Sequence, residues 1–354
     1  MKTATPTSTD LAAARLPRAQ SHTLRWLRNY QAANIVIVYG ALLIVCLGWS
    51  LLHPEQLRFA AEGNLAILAQ QIPVTAIAAI GVGLLMIAGE FDISIAGTFT
   101  LVAFVVAIAN GKLGWPLPLA LAAALVVAIA VGLLNGLVTT RLGIPSFIAT
   151  LGTMFLLRGV IRFVSINPAT QQADNIRFFP GDTLETLFAA QIVGPVYAQI
   201  LWLVMAAVVA HLLLNRHQFG NHLFAAGGNR DAATAVGVPV NQVKIIAFVI
   251  SAIAAGFAGL LQATRIHQVE PSFATISGFE LKAIAAVVVG GVSLFGGRGT
   301  ILGMVLGAAL IETVDNLLVL LSAPETVFKG FLGAIIIVSV ILNNVISGRG
   351  AQRA

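Results

Sequence analysis

Apolar runs long enough to cross a bilayer follow one another along this chain with few interruptions. They fall at about 32–52, 65–88, 94–110, 118–140, 146–164, 197–214, 244–263, 279–295, 300–320 and 327–343. A helix needs about 20 predominantly apolar residues to cross roughly 30 Å of hydrocarbon. The runs therefore predict an all-α polytopic membrane protein of about ten transmembrane helices. Charge usage agrees: 10% of the residues are charged, against about 25% in a soluble domain, so most of the surface must face lipid.

Basic residues set the expected orientation, because Lys and Arg accumulate in the short cytoplasmic segments. With the N-terminus inside, the inner segments hold Lys2, Arg15, Arg18, Arg25, Arg28, Arg141, Arg216, Arg230, Lys244, Arg298, Arg349 and Arg353. Both termini are then cytoplasmic. The net charge of +6 reflects this bias and not nucleic-acid binding, since no basic stripe with interleaved aromatics occurs. Residues 1–30 read as a disordered cytoplasmic tail, 31–345 as the membrane domain with a cytoplasmic loop over 215–243, and 346–354 as a second cytoplasmic tail. Arg25, Trp26 and Arg28 suit the membrane interface. The single cysteine, Cys46, lies within the first apolar run and reads as an inert packing residue.

The loop "HLFAAGGNRDAATAVGVPVNQVK", His222 to Lys244, is polar and Gly/Ala-rich between two strongly apolar runs. Asn229 is a favourable helix N-cap, Asp231 suits the positive end of a helix dipole, and Gly237 stands where a left-handed residue ends a helix. Pro239 forbids continuation. These residues predict a helix of about two turns, too short to be stable alone. Such an element is either a connector packed on its own bundle or a docking element for a partner.

No hydrolytic or metal motif stands out. "GGVSLFGGRGT" has the Gly291-to-Gly296 spacing of a phosphate loop, but Gly297 and Arg298 occupy the positions that need Lys and Ser/Thr. The six histidines are scattered, with His211, His217 and His222 near the inner face. A weak internal echo pairs "AIAAIGVGLLMIAGEFD" from Ala76 with "AIAAVVVGGVSLFGGRG" from Ala283, aligning Gly83 with Gly290 and Gly89 with Gly296.

The segment from Phe219 to Lys244, "FGNHLFAAGGNRDAATAVGVPVNQVK", resembles the cytoplasmic coupling loop of permease subunits from bacterial ABC importers of the ribose/xylose/arabinose type. "AGEFDISIAGT" stands where that family has a Gly-Gly-Ile-Asp-Leu-Ser-like run. "NGLVTTRLGIPSFIATLGTMFLLRGV" and "GFELKAIAAVVVGGVSLFGGRGTILG" resemble its fourth-to-fifth and eighth-to-ninth span junctions. The resemblance covers residues 30–345 in four places in the right order. It implies a type-II-importer-like permease bundle in the bacterial inner membrane, paired with a second copy or a paralogous permease. It further implies an ATP-binding subunit carrying ATP and Mg, a periplasmic sugar-binding protein, and no cofactor on this chain. Gly227, Gly228, Asn229, Asp231, Ala232, Ala233 and Gly237 would line the docking surface for the ATPase. The transported solute would be a monosaccharide or related polyol.

Polar residues at membrane depth are expensive and invite a functional reading. Gln71, Glu90, Asp92, Ser94, Asn135 and Asn316 are candidates for a polar path, with Asp92 and Ser94 expected to cap the third span. Glu90 departs from the family pattern, which has Gly there. Glu280 and Lys282 read as a local pair or interface anchors, and Glu312 and Asp315, three residues apart, share a helix face. An ion-driven secondary transporter is the alternative class. Its signature would be carboxylates deep in mid-span, whereas the acidic residues here cluster near span ends.

Overall fold

The protein is described by a computed structural model covering residues 20–166, 174–177, 182–273, 278–324 and 326–338. Both expected tail segments fall largely outside these residues, but helix already begins at Gln20, ahead of the expected start near 32. The helices are α1 (Gln20–Leu52), α2 (Glu62–Ile87), α3 (Ile95–Val106, continued by a π-helical turn to Lys112), α4 (Leu117–Arg141), α5 (Ser146–Ser165) and α6 (Asp182–Phe188). They are followed by α7 (Ala198–Asn215), α8 (Gln218–Gly228), α9 (Arg230–Ala235), α10 (Val240–Ile266), α11 (Phe279–Val289), α12 (Ile301–Leu320) and α13 (Thr326–Val338).

Among the described residues, eight helices are long and apolar enough to cross a membrane: α1 to α5, α7, α10 and α12. The all-α polytopic class holds, and eight of the expected ten spans are found among the described residues. The apolar run at 279–295 forms a helix of only 11 residues. At about 1.5 Å per residue this spans some 16 Å, roughly half the hydrocarbon thickness. It stops because Gly291 adopts φ +83°, a left-handed conformation that ends helices. The run at 327–343 is represented by the shorter α13, and its last residues lie outside those described.

Helices α2 and α10 form the centre. Buried residues make up 61% of the apolar window in each, against 17% in α1, so α1 is peripheral and α2 is enclosed on nearly all sides. Two ends are distinct. The turns 88–94, 142–145, 216–239 and 290–300 gather at one end: Phe91 N–H donates to Ser146 Oγ at 3.2 Å, and Gly297 N–H donates to the Ile87 carbonyl at 2.8 Å. At the other end lie α6 and four short strands. There β1 (Ile176–Arg177) pairs antiparallel with β4 (Gln268–Val269), and β2 (Gln191–Val193) pairs with β3 (Val196–Tyr197).

Lipid offers no hydrophobic drive for helices to associate, so packing depends on close backbone approach. Gly259 of α10 sits against the main chain of Phe99 in α3, and a Cβ there would overlap the Phe99 carbonyl. Gly307 of α12 meets the Ala286 carbonyl of α11 in the same way. Gly152 on α5, by contrast, has nothing within 4 Å of its would-be Cβ. Gly259→Val should therefore destabilise the protein by about 1–3 kcal/mol through overpacking, while Gly152→Ala leaves stability unchanged or slightly raised. Thermal melts of the detergent-solubilised protein followed by size-exclusion chromatography measure this. Equal melting of the two variants would contradict the close approach of α3 and α10.

Candidate functional site

The loop that stood out in the sequence folds as two helices, α8 and α9. The second was foreseen. Asn229 Oδ1 accepts from Ala232 N–H at 3.0 Å as the N-cap. Gly237, at φ +83°, closes the C-terminus, with Gly237 N–H donating to the Thr234 carbonyl at 3.0 Å and Val238 N–H to the Ala233 carbonyl at 3.0 Å. The first, α8, was missed. Its inward face, Gly220, Leu223 and Ala226, carries a three-residue spacing that was legible, but the segment's Gly and polar content reads as loop. His217, taken as interfacial, is its N-cap: Nδ1 accepts from Phe219 N–H at 3.1 Å.

Gly228, Asn229, Asp231, Ala232 and Gly237 are exposed at this end. Two expected surface residues point elsewhere. Ala233 is 4% exposed and belongs to the main apolar core, because it lies on the α9 face that rests on the bundle. Gly227 is half-buried against the Ile87 carbonyl and the Gly297 amide. Around it lie Gly89 and Gly296, whose φ values are +81° and +82°. A Cβ on Gly296 would come within 2.9 Å of Gly89 Cα and 2.7 Å of the Gly227 oxygen. The two glycines aligned by the internal echo thus meet at one point, although the helices preceding them, α2 and α11, differ in length (26 and 11 residues).

The polar-path candidates separate into four groups. Asp92 is fully buried. Its Oδ1 accepts from Ser94 N–H at 2.9 Å and Ser94 Oγ at 2.6 Å, and Oδ2 accepts from Ser251 Oγ at 3.4 Å. Asn135 Nδ2 donates to Ser94 Oγ at 2.8 Å. This network ties the start of α3 to α4 and α10, with Asp92 forming a local turn ahead of the helix. Asn316 Nδ2 donates to Asn64 Oδ1 at 2.8 Å, and Asn64 Nδ2 to the Phe59 carbonyl at 2.9 Å. Both groups join helix to helix, as buried amides in membrane bundles do. Glu90 forms an ion pair with Lys244 at the start of α10, with side chains 13% and 9% exposed. The sequence singled out each partner but did not connect them.

Gln71 belongs to the fourth group. It lines a partly open cavity of about 140 Å³ between α2, α3, α10, α11 and α12, together with Thr75, Gln262, Arg265, Lys282 and Glu312. Lys282 does not pair with Glu280. Its Nζ donates to Glu312 Oε2 at 2.9 Å and Asp315 Oδ2 at 2.6 Å, and Glu312 also accepts from the Thr75 hydroxyl. Glu280 instead faces Arg158 at 3.5 Å. Arg265 was not singled out by sequence, because it stands at a helix end where a basic residue is an ordinary interface anchor.

Buried helices spanning a membrane, a pair of short capped helices at one end and a charged cavity within the bundle define a solute permease. The chain belongs to the family described as branched-chain amino acid transport system / permease component, whose model matches residues 64–340. It is similar to the autoinducer 2 import system permease protein of Yersinia enterocolitica, with 35% identity over 269 residues, 75% of this chain and 70% of that one. The protein of the same description from Salmonella typhi is 31% identical over 90% of this chain and 87% of its own. The ribose import permease protein of Escherichia coli K12 is 32% identical over 91% of this chain and 95% of its own. No solved structure matches.

Breaking a buried ion pair leaves an uncompensated charge, whereas removing both partners does not. Lys244→Met should cost about 3 kcal/mol, and the double variant Glu90→Gln/Lys244→Met should recover most of that loss. Unfolding midpoints of wild type, the two single variants and the double variant test this as a double-mutant cycle. Additive losses would show that the pair is not coupled.

Proposed function

We propose that this chain is the membrane-spanning subunit of an ATP-driven importer that moves a monosaccharide or related polyol across the bacterial inner membrane. The observation that carries the proposal is α9: a rigid, doubly capped helix of six residues held outside the bundle by Ala233 and exposing Asn229, Asp231 and Ala232. A helix this short is unstable alone, and capping at both ends fits it to transmit force from a partner. The solute class is supported by the ribose import permease relative and by the amides in the cavity, which suit neutral hydroxyls.

In this scheme a separate subunit binds ATP and Mg and docks on α8 and α9. The turn at 290–300 has Gly297 and Arg298 where a phosphate loop needs Lys and Ser/Thr, which supports hydrolysis on another polypeptide. A second permease, identical or paralogous, completes the membrane path, and a periplasmic binding protein delivers the solute. The excess of Lys and Arg at the α8–α9 end supports a cytoplasmic position for that end and for both termini. ATP binding would close the ATPase pair and shift α8 and α9, switching access from one side to the other. An ion-driven transporter finds less support, since Glu312 is committed to Lys282 and Thr75.

Affinity purification of the tagged chain from its native membrane tests the scheme. Wild type should bring down an ATPase. Ala232→Trp, on the outer face of α9, should cut its recovery at least tenfold, and Leu113→Trp, 62% exposed at the other end, should not. Purification without an ATPase, with uptake that follows the proton gradient and survives ATP depletion, would replace this reading with the secondary transporter.

A further inference from the structure

The cavity between α2, α10, α11 and α12 has features that helix packing alone does not require. Its volume, about 140 Å³, is close to that of an engineered closed cavity of roughly 150 Å³ that accepts benzene, and because this cavity is partly open the hydroxyls of a ring sugar have room beyond it. The volume is far below the roughly 300–1,000 Å³ of pockets for drug-sized ligands. One wall is aromatic: Phe99 lies 4.6 Å from Phe279 and 4.5 Å from Phe273, ring centre to ring centre. The other wall is polar, with Gln71 and Gln262 half-buried beside Arg265. That guanidinium makes one hydrogen bond among the described residues, to Gln262 Oε1 at 3.3 Å, and so retains several N–H donors.

The charges are balanced. Lys282 and Arg265 line the cavity with Glu312, and Asp315, outside the lining, also pairs with Lys282, so the two cations are offset by two carboxylates. Such a site does not select for net charge in its ligand. It offers hydrogen bonds on one side and an apolar ring face on the other. A ring sugar presents hydroxyls around its edge and C–H groups on its faces, which matches both walls.

We propose that this cavity is a binding station for a single neutral ring polyol of five or six carbons, inside the permease subunit itself. Gln71, Gln262 and Arg265 hydrogen-bond its hydroxyls and Phe99 and Phe279 pack against its face. The Lys282 triad fixes the wall without contacting net charge. Gln71 lies about three turns into α2 from its Glu62 end and Arg265 is next to the last residue of α10. The station is therefore in the half of the bundle away from α8 and α9, where a solute arriving from outside is met first. The proposal rests on the importer reading and adds selectivity in the membrane subunit to it.

The experiment uses the purified permease reconstituted with its ATPase and its periplasmic binding protein in proteoliposomes. The probe is whichever of D-ribose, D-xylose, D-galactose and D-arabinose the wild type takes up fastest. Gln71→Phe fills the cavity and should reduce uptake at least tenfold while the ATPase still co-purifies. In a Cys46→Ala background, Phe273→Cys, in the cavity lining but not among the residues that bind the hydroxyls, should be alkylated by a small thiol reagent at least fivefold more slowly when the probe is present. Leu142→Cys, 70% exposed in the 142–145 turn at the other end, should be alkylated at the same rate with or without it. Normal uptake by Gln71→Phe, or alkylation of Phe273→Cys that the probe does not slow, means the cavity holds solvent only and overturns the proposal. Failure of the importer reading is separate and shows as absence of a co-purifying ATPase. Uptake of none of the four sugars by an ATPase-bearing complex overturns the neutral-sugar assignment.

Discussion

Close approach of helix backbones is the constraint on which the rest of this structure depends. In lipid the apolar side chains gain nothing by leaving solvent, so the helices are held by dispersion contacts and by hydrogen bonds that cross between them. Both fall off steeply with distance. Gly259 brings α3 onto α10 and Gly307 brings α11 onto α12. With those distances fixed, Ser94 can reach Asn135, and Lys282 can reach Glu312 and Asp315. The polar networks follow from the packing and then lock it.

Polar groups at depth serve two purposes here, and their partners distinguish them. The Asp92–Ser94–Asn135–Ser251 network and the Asn316–Asn64 bond join helices. The cavity group differs because it surrounds space. Gln71, Gln262 and Arg265 face a volume instead of one another's helix, and only the Lys282 triad within it is fully occupied with internal pairing. Sorting by partner thus sets Asn135 and Asn316 among the residues that join helices, and Arg265 and Lys282 with Gln71 in the cavity lining.

Most of the fold was legible in the sequence because hydropathy over about 20 residues answers a single physical question, whether a segment can cross hydrocarbon. It was misleading where that question was the wrong one: the 279–295 run is apolar throughout yet breaks at Gly290–Gly291, so α11 is half a span. Capping chemistry is local, and α9 with Asn229 and Gly237 was foreseen for that reason. The burial of Ala233 was not, since which face of a short helix rests on the bundle depends on neighbours distant in sequence. The cavity escaped for the same reason. Its lining comes from five helices, and no stretch of chain holds more than two of its polar residues.

The meeting of Gly89, Gly227, Gly296 and Gly297 joins the α2–α3 turn, the end of α8 and the turn after α11 through main chain alone. A joint of this kind has no side chains to lengthen, shorten or repack, so point substitution can destroy it but cannot adjust its stiffness. Descendants of this chain that need a looser or tighter hinge must change something beside the joint. Glu90, one residue after Gly89 and tied to Lys244, is the adjustable element within reach, and it is also where this chain departs from the Gly of the families it resembles.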